Sequence, residues 1–224
     1  MPDYVRVFRP GGTFFLTLVT ERRAPLFAEA GTRVLLSGAI ARCRLFHPFS
    51  IDAVVLLPDH LHLLMTLPEG DADFSVRIAH LKAGFTRDYL ASGGAEQPRS
   101  ASRRRQGARG VWQRRFWEHT VRDEEDLRRH LDYMHYNPVK HGYVACPHAW
   151  PHGSFHRFVA EKRYAKGWCC RCAREAAIVP ELEDVARAAG EYRYTGSPWW
   201  DIKTVGGYAH PTCWRGKMAT QSTR

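Results

Sequence analysis

The sequence predicts an α+β fold of the ferredoxin-like, split βαβ kind: an antiparallel sheet with helices on one face, a further helix after the last strand, and a loosely ordered C-terminal tail. Three observations lead there. Several apolar runs alternate with the two-residue period of strands, the segments between them have helical spacing, and their order over residues 13–137 is β-α-β-β-α-β-α.

The first strand is "TFFLTLVT", 13–20, a β-branched and aromatic run that follows "PGG". The stretch 30–46, "AGTRVLLSGAIARCRLF", has helical spacing at Val34, Leu35, Ala39 and Cys43. A second strand, "SIDAVVLLP", spans 50–58 and runs directly into "HLHLLMTL", so the pair reads as an antiparallel hairpin turning at Pro58-Asp59. A second helix, 74–90, places Phe74, Ile78, Leu81, Phe85 and Leu90 inward and Arg77, Lys82 and Arg87 on its polar side. Residues 91–110 are rich in Gly, Ser, Ala and Arg without an apolar period, and read as a mobile basic insertion. After it, 111–122, "VWQRRFWEHTVR", resumes strand composition, and 123–137 is helical with acids in its first turn, where the helix dipole favours them. Beyond "NPVKHGYV" the composition loosens. Residues 1–160 are expected to form one domain, with 161–224 an extension lacking fixed structure.

The formal charge is +10, and between Arg99 and Arg115 seven arginines stand without an acid. Such a cluster points first to nucleic acid, because neutralising phosphates releases counterions. No stretch approaches the roughly 20 apolar residues needed to cross a bilayer, and the first residues lack a signal-peptide layout. A cytoplasmic, nucleoid-associated protein with no membrane partner is expected. Six scattered cysteines do not read as a disulfide framework and are expected to be reduced.

Within "LLPDHLHLLMTL", His60 and His62 share one strand face while Leu61 and Leu63 share the other. Two imidazoles side by side suit a divalent ion, which then needs a third ligand. In the helix 123–137, at about 100° per residue, Leu127, Leu131 and Met134 form the core face. Tyr133 and Asn137 lie together on its flank, and Tyr136 falls opposite the core face. An amide oxygen from Asn137 and a phenol from Tyr133 meet one metal site provided the helix keeps its turn to 137, since Asn-Pro is a common helix stop.

The combination of "PDHLHLL" with "FWEHTVRDEEDLRRHLDYMHYNPVKHGYV" resembles the REP-associated tyrosine transposases, single-tyrosine members of the HUH endonuclease superfamily. The resemblance runs from about Tyr4 to about Phe158. It implies a ferredoxin-like core, His60, His62 and Asn137 as ligands of Mg²⁺ or Mn²⁺, and Tyr133 as nucleophile on a catalytic helix. It also implies cleavage and rejoining of REP-type single-stranded DNA hairpins through a 5′-phosphotyrosine, by a monomer or homodimer.

Single strands are gripped by basic grooves and stacking rings. In "WQRRFWEH" alternation puts Arg115, Trp117 and His119 on one face, taken as the DNA side, with Phe116 toward the core. Arg6, Arg9, Lys82, Arg87 and Lys140 are further phosphate candidates. A second metal site, for Zn²⁺, is conceivable in the tail from Cys169 and Cys172 with His210 and Cys213. Two rivals remain. A histidine-dependent nucleotide hydrolase would want a third alternating histidine where Leu64 stands, and a non-catalytic, domesticated single-stranded nucleic-acid-binding protein would need only the sheet, aromatics and charge.

Overall fold

The computed structural model describes residues 9–170. Four antiparallel strands, β1 (Thr13–Val19), β2 (Ser50–Leu57), β3 (His60–Thr66) and β4 (Trp117–Thr120), form one sheet in the order β2-β3-β1-β4. This is the split βαβ order. The hairpin between β2 and β3 turns at Pro58-Asp59 as expected. β4 is shorter than the composition suggests. Residues 111–116 leave the sheet, and Trp112 touches the end of β1 only through a bridge to Thr20.

The sheet is buried on both faces. On one, Phe14, Leu16, Leu18, Leu61, Leu63 and Met65 meet α1 (Ala30–Phe46) and α2 (Phe74–Ala91). α1 turns Leu36, Ala39, Ile40 and Cys43 inward and leaves Val34 exposed, so its apolar face is rotated from the one read off the sequence. α2 starts where the Asp73 carboxylate accepts from Val76 N. Its Arg77 is buried rather than on a polar face, because its guanidinium donates to the Pro48 and Asp73 carbonyls and to Asp71.

The opposite face carries Phe15, Thr17, Val55, Leu57, His60, His62 and Leu64, and α4 (Glu124–Lys140) lies across it with Leu131, Tyr133 and Met134. Asp123 caps α4 by accepting from Asp126 N at 2.8 Å. The helix does not stop at Asn137. Pro138 sits inside it, and a Schellman turn closes it three residues later, with Gly142 N donating to Val139 O, Tyr143 N to Pro138 O, and Gly142 at φ +76°.

After α4 the chain doubles back as a strap. Leu56 N donates to His152 O, Ser154 N to Val54 O, and Trp150 Nε1 to Leu56 O, which covers the otherwise open edge of β2. The approach needs Gly153, where a Cβ would meet Val54 O and Val55 Cγ2 at 3.2 Å. α5 (Phe155–Ala160) and Tyr164 then cover the outer side of α4, Tyr164 Oη donating to Asp132 at 2.6 Å. Tyr136, opposite the core face on the helical wheel, is buried as well. The chain also stays packed beyond residue 160, with the Trp168 ring tilted against Tyr164, centres 4.6 Å apart. The basic insertion is docked rather than mobile. A short α3 (Ala101–Arg105) is tied to the body by Arg103, which pairs with Glu21 and donates to Trp112 O, and Arg109 pairs with Glu96.

Ser154 Oγ is the lock of the strap: it accepts from Val54 N at 3.0 Å and lies 2.9 Å from His135 Nε2, all three groups buried. Ser154→Ala is expected to cost about 1–3 kcal/mol, the penalty of leaving buried polar groups unsatisfied. Urea unfolding of the variant beside the wild type measures it.

Candidate metal and nucleophile site

The cross-strand register puts His62 between Thr17 of β1 and Val55 of β2, at the middle of the sheet, and His60 between Val19 and Leu57 at its end. Both are buried, and their rings stand 4.9 Å apart, edge to face. Each ring has its Nδ1 engaged. His62 Nδ1 lies 2.9 Å from Thr17 Oγ1, and His60 Nδ1 lies 2.6 Å from Asp59 Oδ1. Asp59 is held in turn by Arg23, 2.8 Å away, while its backbone N–H lies in the tight turn and its carbonyl accepts from Thr20 N and Oγ1. With Nδ1 as donor on both rings, the Nε2 lone pairs are the atoms left to coordinate.

α4 brings the rest. Tyr133 packs edge-on to His62 with ring centres 5.5 Å apart, and Asn137, one turn later, is wholly buried with its amide facing both His62 and Tyr133. The four residues singled out from the sequence thus converge. His62 Nε2 and both amide atoms of Asn137 are buried and face one another without a well-formed hydrogen bond. Orphaned donors and acceptors of this kind are rare, and two imidazoles plus an amide oxygen fit a divalent cation with room for substrate oxygens.

Burial, with His60 beside it, pushes the His62 pKa well below the ordinary value, so the ring is neutral near pH 7 and its lone pair stays available. Burial would raise Asp59, but the hydrogen bonds from His60 and Arg23 outweigh it and bring the pKa down to about 2. Tyr133 moves up because it is buried. His141, its ring 5.4 Å from that of His60, is brought to about 4 by burial and by His60.

The nucleic-acid candidates divide. Trp117 lies on the site face, edge-on to Phe15, which stacks on His62 at 5.5 Å; the three rings form a row from the sheet edge to the site. His119 is on the same face but held by Asp126 at 2.7 Å and stacked on Trp117 and His130. Arg115 is exposed just ahead of β4, and Phe116 packs against the α2 side as expected. The Lys140 ammonium lies 5.3 Å from the Tyr133 ring centre. Lys82 and Arg87 are on α2, across the sheet from the histidines. Lys82 is mostly withdrawn from solvent, its ammonium donating to Gln113 O at 2.6 Å, and burial lowers its pKa to about 8; Arg87 pairs with Asp88. Arg9 is exposed, and Arg6 lies outside the described residues. Of the tail zinc set only Cys169 is described; Cys172, His210 and Cys213 lie outside.

Sequence reasoning missed Asp59, Thr17, Arg23 and His141. Asp59 was legible only as a turn residue. The others carry no local signal, because β-pairing and the end of α4 bring them in. Thr17→Val keeps the strand shape and removes the oxygen beside His62 Nδ1. The expected loss is about 1–3 kcal/mol in urea unfolding, the cost of an unpaired buried group.

No family model matches the chain. It is 44% identical over 170 residues, 75% of its length and 93% of the relative's, to a putative REP-associated tyrosine transposase of Haemophilus influenzae. To the REP-associated tyrosine transposase of Escherichia coli K12 it is 39% identical over 169 residues, covering 75% of this chain and 91% of that one. Among solved structures, a REP-associated tyrosine transposase bound to a REP hairpin is similar, with a TM-score of 0.66 and 36% identity over 85% of this chain and all of the other. Among the described residues no helix is long and apolar enough to cross a membrane.

Proposed function

Because the chain belongs to the REP-associated tyrosine transposases, we propose that it cleaves and rejoins single-stranded hairpin DNA of the REP type, with Tyr133 as nucleophile. The observation that carries this reading is the convergence of Tyr133 and Asn137 from α4 on His60 and His62 of β3. His60, His62 and Asn137 would hold Mg²⁺ or Mn²⁺. When bound, the ion would draw charge from the scissile phosphate and fix its orientation.

The chain's own groups do the rest. The Tyr133 oxygen attacks phosphorus in line, the Tyr–O–P bond forms as the P–O3′ bond breaks, and the phenolic proton is given up while the departing 3′-oxygen takes one. The product is a 5′-phosphotyrosyl enzyme and a free 3′-hydroxyl. Another 3′-hydroxyl reverses the step, since one phosphodiester replaces another of similar energy, and no nucleotide cofactor is consumed. The phenol is protonated at pH 7 and burial moves its pKa further up, so the proton leaves only as the oxygen attacks phosphorus. Tyr133 is only 3% exposed, so the strand must displace groups lying over it, Lys140 among them. Trp117, partly exposed and backed edge-on by the buried Phe15, offers a stacking ring for a base, and Arg115 and Lys140 offer charge for the backbone.

With 5′- and 3′-labelled hairpin oligonucleotides and Mn²⁺ on a denaturing gel, the wild type is expected to form a protein-linked 3′ fragment. Tyr133→Phe should bind the hairpin and form none. Hairpin binding by the wild type without an adduct would leave a single-stranded DNA-binding protein instead.

Asp59→Asn keeps the size of the side chain but weakens its hold on the His60 N–H. Mn²⁺ affinity, read by calorimetry, should fall about 10–100-fold, as for other carboxylates that orient a ligating histidine. An unchanged affinity would remove His60 from the ligand set.

A further inference from the structure

Away from this site, Cys146 and His148 flank Pro147 at the 3₁₀ turn Pro147–Ala149, and Cys170 lies where the described chain ends. The two sulfurs and a ring nitrogen of His148 all lie within 4.8 Å of one another, and Cys170 Sγ is 3.7 Å from His148 Nδ1. Both cysteines are buried, at 5% and 8% exposure, and neither is in a disulfide. Zn–S bonds of about 2.3 Å and Zn–N bonds of about 2.0 Å at a tetrahedral angle set S and N roughly 3.6 Å apart. The Cys170–His148 separation matches that geometry, and the Cys146 sulfur lies within 4.8 Å of both.

We propose that Cys146, His148 and Cys170 bind a zinc ion that staples the chain after α5 to the turn following α4. Two thiolates and an imidazole are the soft and borderline donors zinc prefers, and they exclude Mg²⁺ or Mn²⁺ as the natural occupant. Three protein donors leave the fourth tetrahedral position open to an exogenous ligand such as water. This assignment differs from the tail zinc set read off the sequence. The neighbouring Cys169 does not join the cluster; Cys170 does. The placement also gives the ion a task. The short turn and the residues around Tyr164 and Trp168 cover the outer side of α4, whose inner side carries Tyr133 and Asn137. A metal crosslink across residues 146–170 fixes that cover where few elements of regular structure do. The zinc site does not depend on the transposase reading.

The test is the zinc content of the full chain, purified without added metal and dialysed. About one tightly held zinc per chain is expected in the wild type and in His60→Ala/His62→Ala. The ion should be lost from Cys146→Ser/Cys170→Ser and weakened in the milder His148→Ala, each checked for folding by circular dichroism. If the double serine variant does not fold, Co²⁺ substitution decides. The wild type should show thiolate-to-cobalt charge-transfer absorption, and His148→Ala should shift its visible bands. Zinc content equal in wild type and serine variant, absence of the charge-transfer band, or thiol titration showing a Cys146–Cys170 disulfide in the native protein would each overturn the proposal.

Discussion

His62 sits in the centre of a four-stranded sheet, fully buried, with Thr17 on one side and Val55 on the other. A polar ring at that position is tolerable only if both nitrogens have an assigned use, because an unpaired buried polar group costs about as much as a hydrogen bond is worth. Thr17 takes Nδ1. The second nitrogen looks toward α4, and the polar groups facing it, Asn137 and Tyr133, are the ones the helix presents one turn apart. The contact between β3 and α4 is therefore where core packing and site chemistry coincide, and whatever holds α4 to the sheet holds the site.

Two sets of interactions hold it. At the start of β3, the partly exposed Arg23 and the buried Asp59 and His60 form a chain of charge-assisted hydrogen bonds, and the carbonyl of Asp59 is tied to Thr20, which joins the hairpin turn to the exit of β1. On the outside, the strap from Trp150 to Ser154 pairs with the edge of β2 while α5 and Tyr164 cover α4. The helix is thus enclosed from both sides, which explains why its residues from His130 to Val139 are all buried although its sequence is strongly polar.

The basic charge is less available than its density suggests. Arg103 is spent on Glu21 and Trp112 O, Arg109 on Glu96, and Arg77 on backbone carbonyls, so part of the cationic excess is structural. Arg104, Arg105, Arg114 and Arg115 are exposed. Counting charges along the chain cannot separate these groups, because the acids that neutralise Arg103 and Arg109 lie 82 and 13 residues away.

The sequence by itself determined the strands, the crossover helices and their order, because two-residue and helical periods are local and survive without tertiary context. It also determined that His60 and His62 share a face, and that Tyr133 and Asn137 share another. Tertiary structure alone decided that these two faces meet. It carried α4 through Pro138 to Lys140, buried Tyr136, placed Lys82 across the sheet from the histidines, and docked the arginine-rich insertion. It also supplied Asp59, Thr17 and Arg23 as supports and gathered Cys146, His148 and Cys170 at one point. The physical reason is common to all of these: each depends on groups brought together by strand register or by the return of the chain over α4, and periodicity within a segment contains no information about what will be packed against it.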